Sequence, residues 1–281
     1  MKKVWSGWLI NALSYTFVQN ALMGAFFTSI ICGIIGTLVV TNRMVFIAGG
    51  IAHSVYGGVG IAAFFGLPIL VGATGFSVLC AVILAYMLLY AKERLDSIIG
   101  SLWAFGMALG VILVELTPGY NKDFMGYLFG SILSITQNDI LVMAGFSFLL
   151  FVFLLLKYRV ILAFSYDNEF TQLQGINTRL FSVALMVLIA VGIVISMRSV
   201  GIILVIALVS IPAYCSEIFT ASLGKMMFWA SVISCGAMLG GITIAYYYDL
   251  QAGASIVMVL ALFSFVLAFY HYFLNSKMRL T

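Results

Sequence analysis

Charge is what this chain has least of. Only 8% of its 281 residues are Asp, Glu, Lys or Arg, while 64% are hydrophobic and the mean hydropathy is +1.20. No single water-soluble core of this length hides so much apolar surface, so the chain reads as a polytopic protein of the lipid bilayer. A net charge of +4 is too small for a broad nucleic-acid surface, and no nucleic-acid partner is expected. Histidine is limited to His53 and His271. The four cysteines, Cys32, Cys80, Cys215 and Cys235, fall inside apolar runs, where a small soft hydrophobe is at home, and they suggest no disulfide framework. There is no GxxxxGK[ST] loop, so ATP binding in the P-loop manner is not expected of this chain. HExxH and GxSxG are also missing, which argues against an intramembrane hydrolase.

What is present is a succession of apolar runs. A spanning helix needs about 20 such residues. Polar breaks delimit nine runs: Phe17 to Val40, Val45 to Gly66, Ile69 to Tyr90, Ile98 to Thr117, Ile140 to Leu156, Leu180 to Met197, Gly201 to Leu223, Met226 to Tyr247 and Ala252 to Phe273. The expected fold is all-α, with about nine transmembrane helices forming one membrane domain over residues 1–281. Between the fourth and fifth runs, TPGYNKDFMGYLFGSILSITQND has an apolar middle too short to cross, which predicts a re-entrant or outer half-helix. Trp5 and Trp8 suit an interfacial helix before the first run.

Orientation follows from the basic residues. Placing Arg43, Lys92, Arg94, Lys157, Arg159, Arg179, Lys225, Lys277 and Arg279 in the cytoplasm leaves Lys2, Lys3, Lys122 and Arg198 outside, nine against four. The C terminus is then cytoplasmic. So is the long connection 162–179, which has the residues for one short amphipathic helix ending at Gly175.

Ionisable groups within spans are expensive and mark candidate sites. Gly49, His53, Gly57 and Gly60 are spaced four, four and three apart and share a helix face. Two readings stand side by side: glycines pack a neighbouring helix while His53 bonds a carbonyl, or the glycines open a path where the imidazole meets a metal ion. In the seventh run Pro212 frees a backbone carbonyl mid-span, near Ser210, Tyr214, Cys215 and Glu217. At ~1.5 Å per residue, Cys215 and His53 each lie roughly 15 Å from the inner side, at similar depth. Thiolate with imidazole suits zinc better than magnesium or calcium. Cys215 as buried filler and Glu217 as a partner of Lys225 are the rival readings. Glu115, Asp123, Asp139 and Asp249 lie near outer span ends and would make an acidic mouth that draws cations, although Asp139 also fits a helix cap.

Several stretches together resemble the permease subunit of metal-ion ABC transporters of the zinc, manganese and iron uptake type. They are RMVFIAGGIAHSVYGGVGIA (43–62), LTPGYNKDFMGYLFGSILSITQNDI (116–140), DNEFTQLQGI (167–176), RSVGIILVIALVSIPAYCSEI (198–218) and YYYDLQAGASIVMVLAL (246–262). The resemblance implies a homodimer in the cell membrane, working with a cytoplasmic ATP-binding subunit and an extracytoplasmic metal-binding protein. ATP would be hydrolysed on the partner, with no enzyme activity and no permanent cofactor here; the cargo would be a divalent metal ion, zinc first, then manganese or iron. Asp167, Glu169, Phe170, Gly175 and Ile176 match the family's coupling segment. One departure stands out. Where the family reads Gly-Asp-Ala-x-Ser-His, this chain keeps His53 but has Gly49 at the aspartate and Ala52 at the serine, and the family's following proline is Gly57. Losing that carboxylate weakens the inference to manganese and leaves a chelated metal open. Cys215, in Pro-Ala-Tyr-Cys-Ser, is a candidate replacement ligand. The competing function is a self-sufficient metal channel or ion-coupled carrier, which would have no need of the 167–176 segment.

Overall fold

In a bilayer every backbone N–H and C=O must find its partner within the protein, and apolar runs of this length meet that demand as helices. The computed structural model describes residues 15–90, 92–118, 130 and 132–278. Its helices are α1 (Thr16–Thr41), α2 (Val45–Phe65), α3 (Ile69–Tyr90), α4 (Leu95–Glu115), α5 (Gln137–Tyr166), α6 (Asn168–Leu173), α7 (Thr178–Val200), α8 (Ile202–Glu217), α9 (Leu223–Tyr248) and α10 (Ala252–Met278). Two 3-10 turns, Lys92–Arg94 and Ile132–Ser134, complete the elements, and there is no strand among the described residues. Eight helices are long and apolar enough to cross a membrane, so the all-α polytopic reading holds. The expected interfacial helix at Trp5 and Trp8 lies outside the described residues, as does most of the expected half-helix; only its exit, Ile132–Ser134, is described.

Two runs differ from their expected lengths. The fifth does not stop at Leu156: α5 continues through Lys157 and Arg159 to Tyr166, and its 30 residues span ~45 Å, well beyond a ~30 Å hydrocarbon core. Basic residues ended the apolar count there, but they are good helix formers and did not end the helix. The seventh run is shorter, because α8 ends at Glu217 and the chain turns before α9 begins at Leu223. Its 16 residues reach only ~24 Å, and it survives as a short helix because it packs among α1, α2, α7, α9 and α10.

The inner layer is α1, α2 and α7, whose most apolar stretches are 72%, 78% and 61% buried, against 17% for α5. Close backbone approach is what brings these helices together, as expected where lipid supplies no hydrophobic drive between them. A Cβ at Gly33 of α1 would sit 2.6 Å from the Ser231 Cα of α9, and one at Gly36 would strike the Val209 carbonyl of α8. Helices α2 and α4 run parallel and meet in register. Gly50 lies against Ile99, Gly57 against the Gly106 carbonyl, and Gly60 against Gly110.

Each end of the bundle is stitched by polar contacts. At the end holding Arg43 and Arg179, the Asn42 amide donates to the Leu38 carbonyl (2.7 Å) and to Ser165 Oγ (3.1 Å), and Gly224 N–H donates to Tyr158 Oη (3.2 Å). At the other end Thr136 caps α5 in a reciprocal capping box with Asp139, whose carboxylate also receives Arg198 of α7 at 2.9 Å. Gly201, at φ +93°, alone separates α7 from α8, a backbone setting that glycine tolerates and L side chains rarely adopt.

The glycine seam makes a direct prediction for stability. A Cβ at Gly106 would lie 2.7 Å from the Ser54 Cα, whereas Gly100 on the same helix has nothing within 4 Å. Gly106→Ala should therefore destabilise the protein by about 1–3 kcal/mol through overpacking, while Gly100→Ala should be neutral or stabilising. Thermal unfolding of the two purified variants in one detergent compares them, and equal unfolding temperatures would contradict the seam.

Candidate functional site

Helix α2 presents His53 because two turn devices fix where it starts and stops. Arg43, in the left-handed region at φ +57°, reverses the chain after α1, and Gly66 at φ +66° ends α2, with Leu67 N–H donating to the Ala62 carbonyl at 2.8 Å. Between them the helix shows different faces to different neighbours. Gly58 meets Gly72 of α3, Gly57 and Gly60 meet α4, and Gly49 looks toward α8.

The His53 ring lies flat on the indole of Trp103 from α4, with centroids 4.1 Å apart and planes 3° from parallel. Trp103 is itself held, its Nε1–H donating to the Met107 sulfur at 3.0 Å one turn along α4. The imidazole is half-buried, and the carbonyl bond expected on the packing reading is not among the hydrogen bonds of the described residues.

The other sequence-predicted residues are distributed as follows. Gly49 is one turn before His53, and a Cβ there would meet only the Ile206 methyl of α8, at an ordinary contact distance of 3.8 Å. Gly57 is buried in the α2–α4 seam, with Phe76 and the Gly106 carbonyl around it. Cys215 is fully buried on α8, whereas Tyr214 and Glu217 on the same helix are exposed. Ser210 turns its hydroxyl to the Ile206 carbonyl at 2.7 Å and borders, with Ile206, Ala48 and Ala52, a small apolar gap between α1, α2, α7 and α8. Among the described residues no three His, Cys, Asp or Glu side chains gather into a group able to hold a metal ion. Among the described residues, His53 is therefore not part of a closed cage of such side chains.

The supposed acidic mouth resolves into separate roles. Asp139 is committed to Arg198 and the α5 cap, Glu115 and Asp249 are exposed, and Asp123 lies outside the described residues. Trp103 was not legible as a site residue, since an aromatic in an apolar run looks lipid-facing. The available signal was its spacing: WAFGMALG sets Gly106 and Gly110 after Trp103 much as Gly57 and Gly60 follow His53.

A second candidate surface is the α5–α6–α7 corner. Asp167 caps the six-residue α6 by accepting Phe170 N–H at 2.9 Å, and the buried Thr171 donates to the Asp167 carbonyl at 2.7 Å. Gly175, at φ +79°, lets the chain turn, and Asn177 caps α7 by accepting Leu180 N–H at 3.1 Å. The result is a short rigid helix with Glu169, Phe170 and Leu173 exposed, Gly175 exposed beside it, and Ile176 half-buried beneath.

Comparison with known proteins gives this geometry a setting. A membrane protein of Synechocystis sp., itself uncharacterized, is 38% identical over 89% of both chains. The manganese transport system membrane protein MntC of Halalkalibacterium halodurans is 32% identical over 92% of this chain and 88% of its own. The solved PsaBC from Streptococcus pneumoniae, in complex with a Fab, shares 28% identity and superimposes with a TM-score of 0.85 over 93% of this chain and 94% of its own. The resemblance drawn from the five sequence stretches is thereby borne out. The pattern of the ABC 3 transport family matches residues 14–271, and the chain belongs to that family.

Proposed function

We propose that this chain is the membrane-spanning subunit of an ATP-driven importer of divalent transition metal ions, with ATP hydrolysed by a separate chain. The observation that carries the proposal is the family match over residues 14–271, together with a 32% identical relative named for manganese transport. The protein works in the cell membrane as a homodimer. The Arg43 and Arg179 end faces the cytoplasm on the excess of basic residues there. In that orientation α6 faces a cytoplasmic ATP-binding subunit, and its rigid caps suit it to pass a push into α5 and α7. The opposite end, where Arg198 pairs with Asp139, faces an extracytoplasmic metal-binding protein. Closure of the ATPase would rock the helices so that the path opens to each side in turn.

The metal follows from the donor set. An open imidazole with glycine in place of a neighbouring carboxylate favours a borderline-soft ion over a hard one, so zinc is proposed ahead of iron and manganese. A chelated metal is the alternative cargo. Cys215, buried on α8, would join the path only in a conformation that turns α8. Gly49 would line the path beside His53 once the helices move apart, and Glu115 and Glu217 stand exposed on α4 and α8 as candidate outer and inner stations.

Partner dependence distinguishes this reading from a channel or secondary carrier. Vesicles containing the chain alone should not accumulate zinc, whereas vesicles holding the complex with its ATPase and internal or external ATP as orientation requires should do so; accumulation by the chain alone would refute the ABC reading. The coupling corner can be tested separately. A Cβ at Gly175 would meet nothing within 4 Å, so Gly175→Val acts through the backbone, at ~1–2 kcal/mol for a β-branched residue in the left-handed region. That variant and Glu169→Lys should lose co-purification with the ATPase while still reaching the membrane; undiminished co-purification of both would place the contact elsewhere.

A further inference from the structure

We propose that Trp103 is a positioning residue for His53, a flat support that fixes the imidazole plane and favours its metal-bound form. This inference rests on the reading of His53 as metal-facing. A metal ion approaches an imidazole nitrogen along its lone pair, within the ring plane. A ligand histidine ordinarily has that plane set by a hydrogen bond from its other nitrogen to a carboxylate or carbonyl. His53 makes no such bond among the described residues, and the parallel indole at 4.1 Å and 3° is the contact that orients it.

The stacking geometry restricts rotation of the ring while the indole itself covers a face and neither nitrogen edge. The indole is in turn fixed by its N–H bond to Met107 at 3.0 Å and by the glycine contacts that hold α2 and α4 in register on the same turns. There is also an electrostatic part. The face of an indole carries negative quadrupole potential, which stabilises a neighbouring cation. Binding a divalent ion places positive charge on the imidazole beside that face. Trp103 thereby supplies part of the attraction that a carboxylate at position 49 would provide.

The stack also supplies the reporter for its own test. Trp5, Trp8, Trp103 and Trp229 are the only tryptophans, so replacing the other three by Phe leaves Trp103 as the sole indole. In the full chain reconstituted alone in lipid vesicles, cobalt(II), a quenching stand-in for zinc, should quench Trp103 emission saturably, and His53→Gln should abolish the quench. Zinc affinity by equilibrium dialysis, with native tryptophans restored, should fall about tenfold in Trp103→Leu, in line with loss of a supporting contact around a ligand, and recover to within about threefold of native in Trp103→Phe. Native zinc affinity in Trp103→Leu, with His53→Gln deficient, would overturn the positioning role and leave the reading of His53 intact. A quench and an affinity both indifferent to His53→Gln would remove that reading and this inference together. Should Trp103→Leu fail to fold, Trp103→Met, which fills the space without a flat ring, takes its place: a roughly tenfold loss of zinc affinity supports the role, and native affinity rejects it.

Discussion

Everything proposed for this protein depends on how closely α2 can approach α4. Lipid chains are as apolar as leucine, so no hydrophobic gain drives two spans together, and contact must come from backbone fitting against backbone. Gly57 against Gly106 and Gly60 against Gly110 provide that fit on successive turns of two parallel helices. The same register, carried one turn back, brings His53 flat onto Trp103. The glycines thus act on the imidazole at a distance of one helical turn. They are the packing surface, and the open side of α2 is the neighbouring face at Gly49.

The two ends of the protein suit a subunit that moves as packed bodies. One end ties α5 to α7 through Asp139 and Arg198 and joins α7 to α8 through Gly201 alone. The other extends α5 past the hydrocarbon core and terminates it in the capped α6. Force applied at α6 would enter the long lever of α5 and the buried α7 together. Helix α8, short and running unbroken through Pro212, packs against both α7 and α2. It borders the small apolar gap beside Ala48 and Ala52.

Much of this was legible in the chain itself. The apolar runs located the spans, because a bilayer allows few other structures. Asp167 and Gly175 announced a short capped helix, since each does a job that depends on local chemistry alone. What could not be read was whatever depends on a second helix. The spacing of Gly49, His53, Gly57 and Gly60 defined a face but not its neighbour, and it is the structure that sets α4 against Gly57 and Gly60. Trp103 stayed hidden for the same reason. Lys157 and Arg159 concealed the true end of α5, because hydropathy counts the bilayer and not the helix. Cys215 and Glu217 both stood near Pro212 as candidates, yet their different angular positions on α8 bury one and expose the other.

The central claim is that His53, set in this seam, meets the transported ion. Its most direct test is the metal dependence of ATP hydrolysis by the reconstituted complex, measured with zinc, manganese and iron(II) in native protein and in His53→Ala. The account predicts stimulation that is strongest with zinc and lost in the variant. A rate that no metal changes, or a His53→Ala complex that responds as the native one does, would contradict it.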